Sequence, residues 1–160
     1  MATLTTSLCL SRLQEERKLL RKNRPVGFIA KPQQSKNGEL DLMHWKCKIP
    51  GPNNSPFEGG LFSLELFFCT QYPKKGPMVK FIPPLFHPNI YQCGTVCLDL
   101  LTNNWKPEIT ISTLLKNLQD FLKSPNIHSP ANMQAKKLYQ SDRAKYNKKV
   151  KAQAKLFKQT

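Results

Sequence analysis

The sequence predicts an α+β fold, with one helix and four short strands in its first half and three helices in its second. Three observations carry this. Residues 43–49 alternate, with Met43, Trp45, Cys47 and Ile49 on one face and His44, Lys46 and Lys48 on the other, the period-two pattern of a half-buried strand. Leu114, Leu115, Leu118, Phe121 and Leu122 fall on a single helical stripe. Pro, Gly and Asn separate the strand candidates by gaps too short for crossover helices, so an antiparallel meander is expected.

The 160 residues are the size of one ordinary domain, and neither a repeat nor a linker divides them, so residues 1–160 are read as one unit. Hydrophobic residues make up 39% and charged ones 22%, a folded composition rather than a disordered one. No apolar run approaches the roughly 20 residues of a membrane span, and no partner membrane is expected. Met1 to Leu10 lacks a basic segment followed by an apolar run, so no secretory signal is expected there and the nucleus and cytoplasm are the expected locations. Five scattered cysteines in such a chain read as reduced thiols. Twenty-five Lys and Arg against ten Asp and Glu give a net charge of +15, which favours an acidic partner surface, whether protein or nucleic acid.

In chain order, the first helix is expected from about Ser7 to Lys22, with Leu10, Leu13 and Leu20 on one side, Thr6 or Ser7 as its cap and Arg24-Pro25 as its stop. Six Lys and Arg against two acids in residues 1–24 make its outer face basic. Gly27 to Lys31 is the first strand candidate, and Lys36-Asn37-Gly38 turns the chain into the second. His44, on the polar face of that second strand, reads as solvent-facing. Pro50 to Pro56 is loop, Leu61 to Phe68 the third strand and Met78 to Ile82 the fourth. Thr110-Ile111-Ser112 caps the striped helix and Ser124-Pro125-Asn126 stops it. Two more helices are expected, about Asn132 to Gln140 and about Asp142 to Phe157, with Ser141 capping the latter and Tyr146, Val150, Ala154 and Phe157 on its inner face. Lys136 to Lys158 holds nine Lys and Arg and one acid.

Between the strands and the later helices, Phe86 to Leu101 reads F-H-P-N-I-Y-Q-C-G-T-V-C-L-D-L-L. Its prolines and Gly94 argue for an irregular but stiff loop. A cysteine nucleophile that passes on an acyl group needs a thiolate and a donor for the oxyanion of the thioester carbonyl, and Cys97 and Asn89 are of those types. Cys93-x3-Cys97 with His87 lacks common zinc spacings and a fourth ligand, so no metal is expected. His87, before Pro88, reads as a structural hydrogen-bonding residue, and Cys93 as a loop thiol open to oxidation.

H-P-N-I-Y at 87–91, G-T-V-C-L-D at 94–99 and W-K-P at 105–107 resemble, in order and spacing, the signature of the ubiquitin-conjugating enzyme family, and the likeness covers nearly the whole chain. L-S-R-L-x-x-E-R-K at 10–18, E-G-G-L-F at 58–62, P-P-L-F-H-P-N at 83–89 and K-x-Q-A-K-x-F at 151–157 resemble its SUMO-conjugating branch in particular. The resemblance implies an N-terminal helix, a four-stranded antiparallel meander, an active-site loop and three C-terminal helices. It implies Cys97 as the nucleophile that takes a SUMO-like modifier from an activating enzyme, and Asn89 as a residue of the tetrahedral step, either oxyanion donor or loop support. Tyr91, Ser129 and Pro130 would line the groove for the substrate lysine, whose ammonium a partly apolar groove disfavours. Arg17, Arg21 and Arg24 lie at or near positions that hold the modifier noncovalently. No cofactor is implied, since ATP is used by the upstream activating enzyme; ligases and protein substrates with acceptor lysines are the other partners, and no nucleic acid is required.

The chain also departs from that branch. Leu98 to Asn104 has the shorter spacing of the ubiquitin-conjugating branch, which makes ubiquitin the alternative modifier. Met78, Ser129 and Lys136 stand where the SUMO branch carries lysine, aspartate and tyrosine for reading a substrate motif. Two other classes remain: a Cys-His hydrolase using His87 or His128 as base, and a noncatalytic basic module that works without Cys97.

Overall fold

Each strand of the sheet gives one face to the core and the other to solvent. A computed structural model describes residues 4–158, and in it the strands β1 (Ile29–Gln34), β2 (Leu40–Pro50), β3 (Leu61–Phe67) and β4 (Met78–Phe81) form one antiparallel meander in sequence order. The register sets Trp45 opposite Leu66, Cys47 opposite Leu64 and Ile49 opposite Phe62, then Leu64 opposite Phe81 and Leu66 opposite Val79. All of these side chains are buried. Burial pushes the Cys47 thiol up to about 12, so it is an inert core residue.

Helix α1 (Leu4–Lys22) packs beside the first two strands, and α2 (Ile111–Lys123), α3 (Met133–Ser141) and α4 (Arg143–Leu156) follow the loop region. The apolar stripe of α2 is wholly buried, and Thr110 caps it by accepting the Thr113 N–H at 3.1 Å. Tyr146, Val150 and Ala154 are the buried face of α4, as their spacing predicts.

Several boundaries differ from the sequence expectation. Helix α1 already includes Leu4, so Thr6 and Ser7 lie within it rather than ahead of its first turn. Its buried face is Cys9, Leu13, Glu16 and Leu20, with Leu10 only half-buried. Glu16 belongs there because its carboxylate accepts from the Ile111 N–H at 2.6 Å and from the Tyr72 hydroxyl, with the Arg12 guanidinium 3.4 Å away. A buried acid thus fastens α1 to the start of α2; burial, outweighing those partners, raises its pKa.

Gly27 stands at φ +86 in the turn closed by the Phe28 N–H on Pro25, so β1 begins only at Ile29. It then runs on to Gln34 through a register shift between Pro32 and Gln33 on the sheet edge, where a proline leaves no ladder bond unmade. Pro50 ends β2 rather than opening the loop. Strand β3 ends at Phe67, one residue early, and β4 at Phe81. Asp142, not Ser141, caps α4, accepting the Lys145 N–H at 3.1 Å; Ser141 closes α3 with its hydroxyl on the Lys137 carbonyl. Phe157 falls just past α4, and its carbonyl accepts the Leu61 N–H at 2.6 Å. His44 is half-buried, stacked on Phe67 and hydrogen-bonded to Glu65.

Candidate active site

Residues 89–97 fold into a tight hairpin pinned to the end of β4. Tyr91 N–H donates to Thr95 O at 2.9 Å and Gly94 N–H to Tyr91 O at 2.8 Å, which closes the turn. Gly94 has φ +98, and a Cβ there would sit 2.2 Å from the Phe81 carbonyl oxygen, so only glycine fits. Phe81 N–H donates to Gly94 O and Val96 N–H to Val79 O, joining hairpin to sheet. At the open end, Cys97 N–H donates to Asn89 O at 2.8 Å. Cys97 is half-buried and a free thiol, while Cys93 is exposed near the hairpin tip.

Asn89 is fully buried, and every polar group of its side chain is engaged. Its Nδ2 donates to Asn126 O at 2.7 Å and Ser129 O at 2.9 Å, and its Oδ1 accepts the Asn126 N–H at 2.9 Å. The carbonyl of buried Pro88 accepts from Ala131 N–H and Asn132 N–H at 2.8 and 3.0 Å. Two adjacent residues therefore hold the segment 126–132, including the Asn132 cap of α3, against the strand that carries the Cys97 contact.

His87 is the buried anchor below them. Its Nδ1 accepts the Asn89 N–H at 3.0 Å and its Nε2 donates to the Phe121 carbonyl at 3.0 Å, an assignment fixed by those partners. Phe121 lies 4.4 Å from its ring and Phe57 6.2 Å. Burial lowers its pKa to about 4, so the ring is neutral at physiological pH and both nitrogens are committed to the main chain. His87 thus has no free nitrogen with which to act as a base, and His128, exposed, contributes its backbone N–H to Asn126 Oδ1.

Around this centre, Tyr91 is exposed on the hairpin, and Ser129 and Pro130 are half-buried in the segment that Asn89 holds. Cys93 Sγ meets Thr95 Oγ1 at 3.3 Å, and the bonds from Thr95, with the Lys80 charge behind them, hold its thiol below the ordinary range. Trp105 Nε1 donates to Pro73 O at 2.7 Å and its backbone N–H to Thr102 O at 3.3 Å, just past the short 3-10 turn Asp99–Leu101 that follows Cys97. Among the described residues, no group of three or more His, Cys, Asp or Glu is placed to hold a metal, and no helix is long and apolar enough to cross a membrane.

Over residues 12–154 the chain matches the ubiquitin-conjugating enzyme family. The chain belongs to that family. It is 48% identical over 151 residues to the SUMO-conjugating enzyme UBC9 of Caenorhabditis elegans, covering 93% of this chain and 91% of the relative. It is 42% identical over 156 residues to the SUMO-conjugating enzyme SCE1 of Arabidopsis thaliana, covering 96% and 98%. The order of elements expected of a ubiquitin-conjugating enzyme is the one observed, down to three helices after the loop.

A second surface gathers the arginines singled out in the sequence. Arg17, Arg21 and Arg24 line one open cavity of about 910 Å³ between α1 and β1, with Lys31 and Gln34 on its far side. Sequence reasoning missed Lys31, which joins them only because β1 lies beside α1. It also missed Asn126, read as a helix stop; an Asn after Ser-Pro is a turn signal, and nothing in its spacing points to Asn89.

Proposed function

We propose that this chain is a SUMO-conjugating enzyme: it accepts a SUMO-like modifier as a thioester on Cys97 from an activating enzyme and transfers it to substrate lysines. The observation that carries the reading is the fixed pairing of a half-buried free thiol, Cys97, with Asn89 on the other arm of the hairpin, in a chain of the ubiquitin-conjugating enzyme family. The names of two of its relatives supply the modifier.

In the first half-reaction the Cys97 thiolate attacks the modifier's terminal carbonyl. A new S–C bond forms and the activating enzyme's thiol leaves. In the second, a neutral lysine amine attacks that carbonyl, the oxygen gains negative charge, and the Cys97 sulfur leaves as the isopeptide forms. Asn89 acts as a positioning residue in this reading: its side-chain donors are occupied by Asn126 and Ser129, so it supports the wall of the lysine groove, and Tyr91, Ser129 and Pro130 line that groove. Partial burial there favours the uncharged amine. The chemistry calls on no cofactor of this chain, because the energy of ATP arrives stored in the activated modifier.

Purified protein given ATP and matched pairs of activating enzyme with SUMO or ubiquitin tests the reading on non-reducing gels. A reductant-sensitive SUMO adduct is expected. Preferential charging with ubiquitin, towards which the short turn after Cys97 points, would replace the modifier while keeping the chemistry. Hydrolysis of an acyl substrate without any activating enzyme would overturn it.

A further inference from the structure

Helix α4 turns a row of lysines outward. Tyr146, Val150 and Ala154 face the core, Gln153 Oε1 accepts the Phe86 N–H at 2.8 Å, and Lys149 Nζ lies 4.2 Å from the centre of the Phe86 ring. These contacts fix the rotation of the helix and leave Lys145, Lys148, Lys151 and Lys155 on its outward side, with Lys158 just past its end; all five are exposed. Ala144, Asn147 and Ala152 separate them along that face, and a shallow cavity of about 630 Å³ runs between the lysine arms.

One exposed acid lies beside the row: Glu58 lines a depression of about 390 Å³ together with Lys151, Lys155 and Lys158, without an ion pair to any of them. The ion pairs among the described residues are Arg12–Glu16, Glu15–Lys18 and His44–Glu65, none of them on α4. The one acid in 136–158, Asp142, is engaged as the helix cap, and Glu58, at the edge of the neighbouring depression, accepts the Asn54 N–H. Arg143 is turned back over the Tyr139 ring, 3.4 Å from its centre.

We propose that this face of α4 binds the phosphate backbone of duplex DNA, without reading its sequence. An acidic polypeptide is the weaker fit. Exposed Lys–carboxylate pairs contribute about 0–1 kcal/mol each, and protein partners gain most of their affinity from buried anchors, whereas the centre of this face offers no apolar side chain larger than alanine. A duplex needs no anchor, because each phosphate neutralised releases condensed counterions. From Lys148 to Lys155 the helix rises about 10 Å, a length over which a duplex presents about six phosphates. The face carries no aromatic side chain on which unpaired bases could stack, which disfavours single strands, and small residues between the lysines allow close approach. The surface is additional to conjugation, whose chemistry requires no nucleic acid.

The test is fluorescence anisotropy of a labelled 24-base-pair duplex of random sequence, titrated with the full chain from about 50 to 200 mM salt. Binding in the range of about 10⁻⁴–10⁻⁶ M is expected, with log K falling by about 0.9 per phosphate contacted against log salt. The triple substitution Lys148→Gln/Lys151→Gln/Lys155→Gln should lower affinity at least about 10-fold at the lowest salt and reduce the slope by about 2.7. Circular dichroism and thioester loading of that variant should match the wild type, and Arg17→Glu/Arg21→Glu should bind the duplex nearly as well as wild type. The proposal is overturned by absence of duplex binding at low salt, by an unchanged slope in the triple variant, by tighter binding of a single strand, or by displacement of the duplex by polyglutamate at equal charge concentration. Thioester loading is read separately, so failure here leaves the conjugating function standing.

Discussion

Asn89 bonds to Cys97 through its backbone and to Ser129 through its side chain, so one residue ties the hairpin of the thiol to the segment that faces it. Truncating that side chain removes two donors and one acceptor at once and leaves the Asn126 N–H without its partner. Asn89→Ala should therefore cost about 1–3 kcal/mol of stability, read as a lowered urea midpoint. It should load Cys97 nearly normally and discharge to lysine more slowly, because the segment facing the thiol loses its support. A variant slow in discharge but unchanged in stability would make Asn89 a direct oxyanion donor, not a support.

The two thiols of the loop are separated by the hairpin itself, with Cys97 paired to Asn89 at the open end and Cys93 at the turn closed between Tyr91 and Thr95. Cys97→Ser should convert the reductant-sensitive adduct into a stable ester or abolish it. Cys93→Ser should load like the wild type, yet lose the faster modification by iodoacetamide that its lowered thiol pKa predicts. A thioester that survives in the Cys97 variant would move the nucleophile to Cys93.

His87 supplies a pH test of the same architecture. Its folded-state pKa of about 4 lies below the ordinary 6.5 because the ring is buried. Between those values the unfolded chain binds the proton and the folded one does not, so stability is fully present above pH 6.5 and is lost as pH falls towards 4. The difference corresponds to about 3 kcal/mol. Glu16, whose pKa burial raises, contributes with the opposite sign, its stabilisation declining as pH rises through its folded value. The informative quantity is therefore the difference between wild type and His87→Gln in urea unfolding across pH 4 to 7. If the two lose stability in parallel through that window, His87 is not the group that titrates.

Much of this architecture was legible because local patterns and buried faces agree: the alternation around Trp45 and the stripe from Leu114 to Leu122 each point to one packing solution. What was not legible came from long-range satisfaction of polar groups. Glu16 reads as a surface acid in an amphipathic helix, and only the meeting of α1 with Tyr72 and the first turn of α2 makes it a core residue. Asn126 reads as a helix stop, and its contact with Asn89 joins residues far apart in sequence. Cap positions slipped for a local reason: Ser141 and Asp142 are both good N-caps, and α3 runs one residue further than its pattern required.

The basic cavity between α1 and β1 supplies a test of the modifier. Arg17 is half-buried there, and Arg21 and Arg24 are exposed, with Lys31 opposite them on β1. Four cations around one open depression make a field that suits an acidic surface, and charges at such a rim act chiefly on encounter rate and on salt dependence. Arg17→Glu/Arg21→Glu should weaken noncovalent binding of SUMO and slow loading from the SUMO-activating enzyme. The loss should be larger at about 50 mM salt than at 300 mM, where the Debye length shrinks to well under 10 Å. Neither residue contacts the Cys97 hairpin in the hydrogen-bond network, so discharge of preloaded enzyme to free lysine should keep its wild-type rate. Equal losses at both salt concentrations would mean that the substitutions act through packing of Arg17 and not through charge, and ubiquitin binding more tightly than SUMO at the same cavity would reverse the assignment of the modifier.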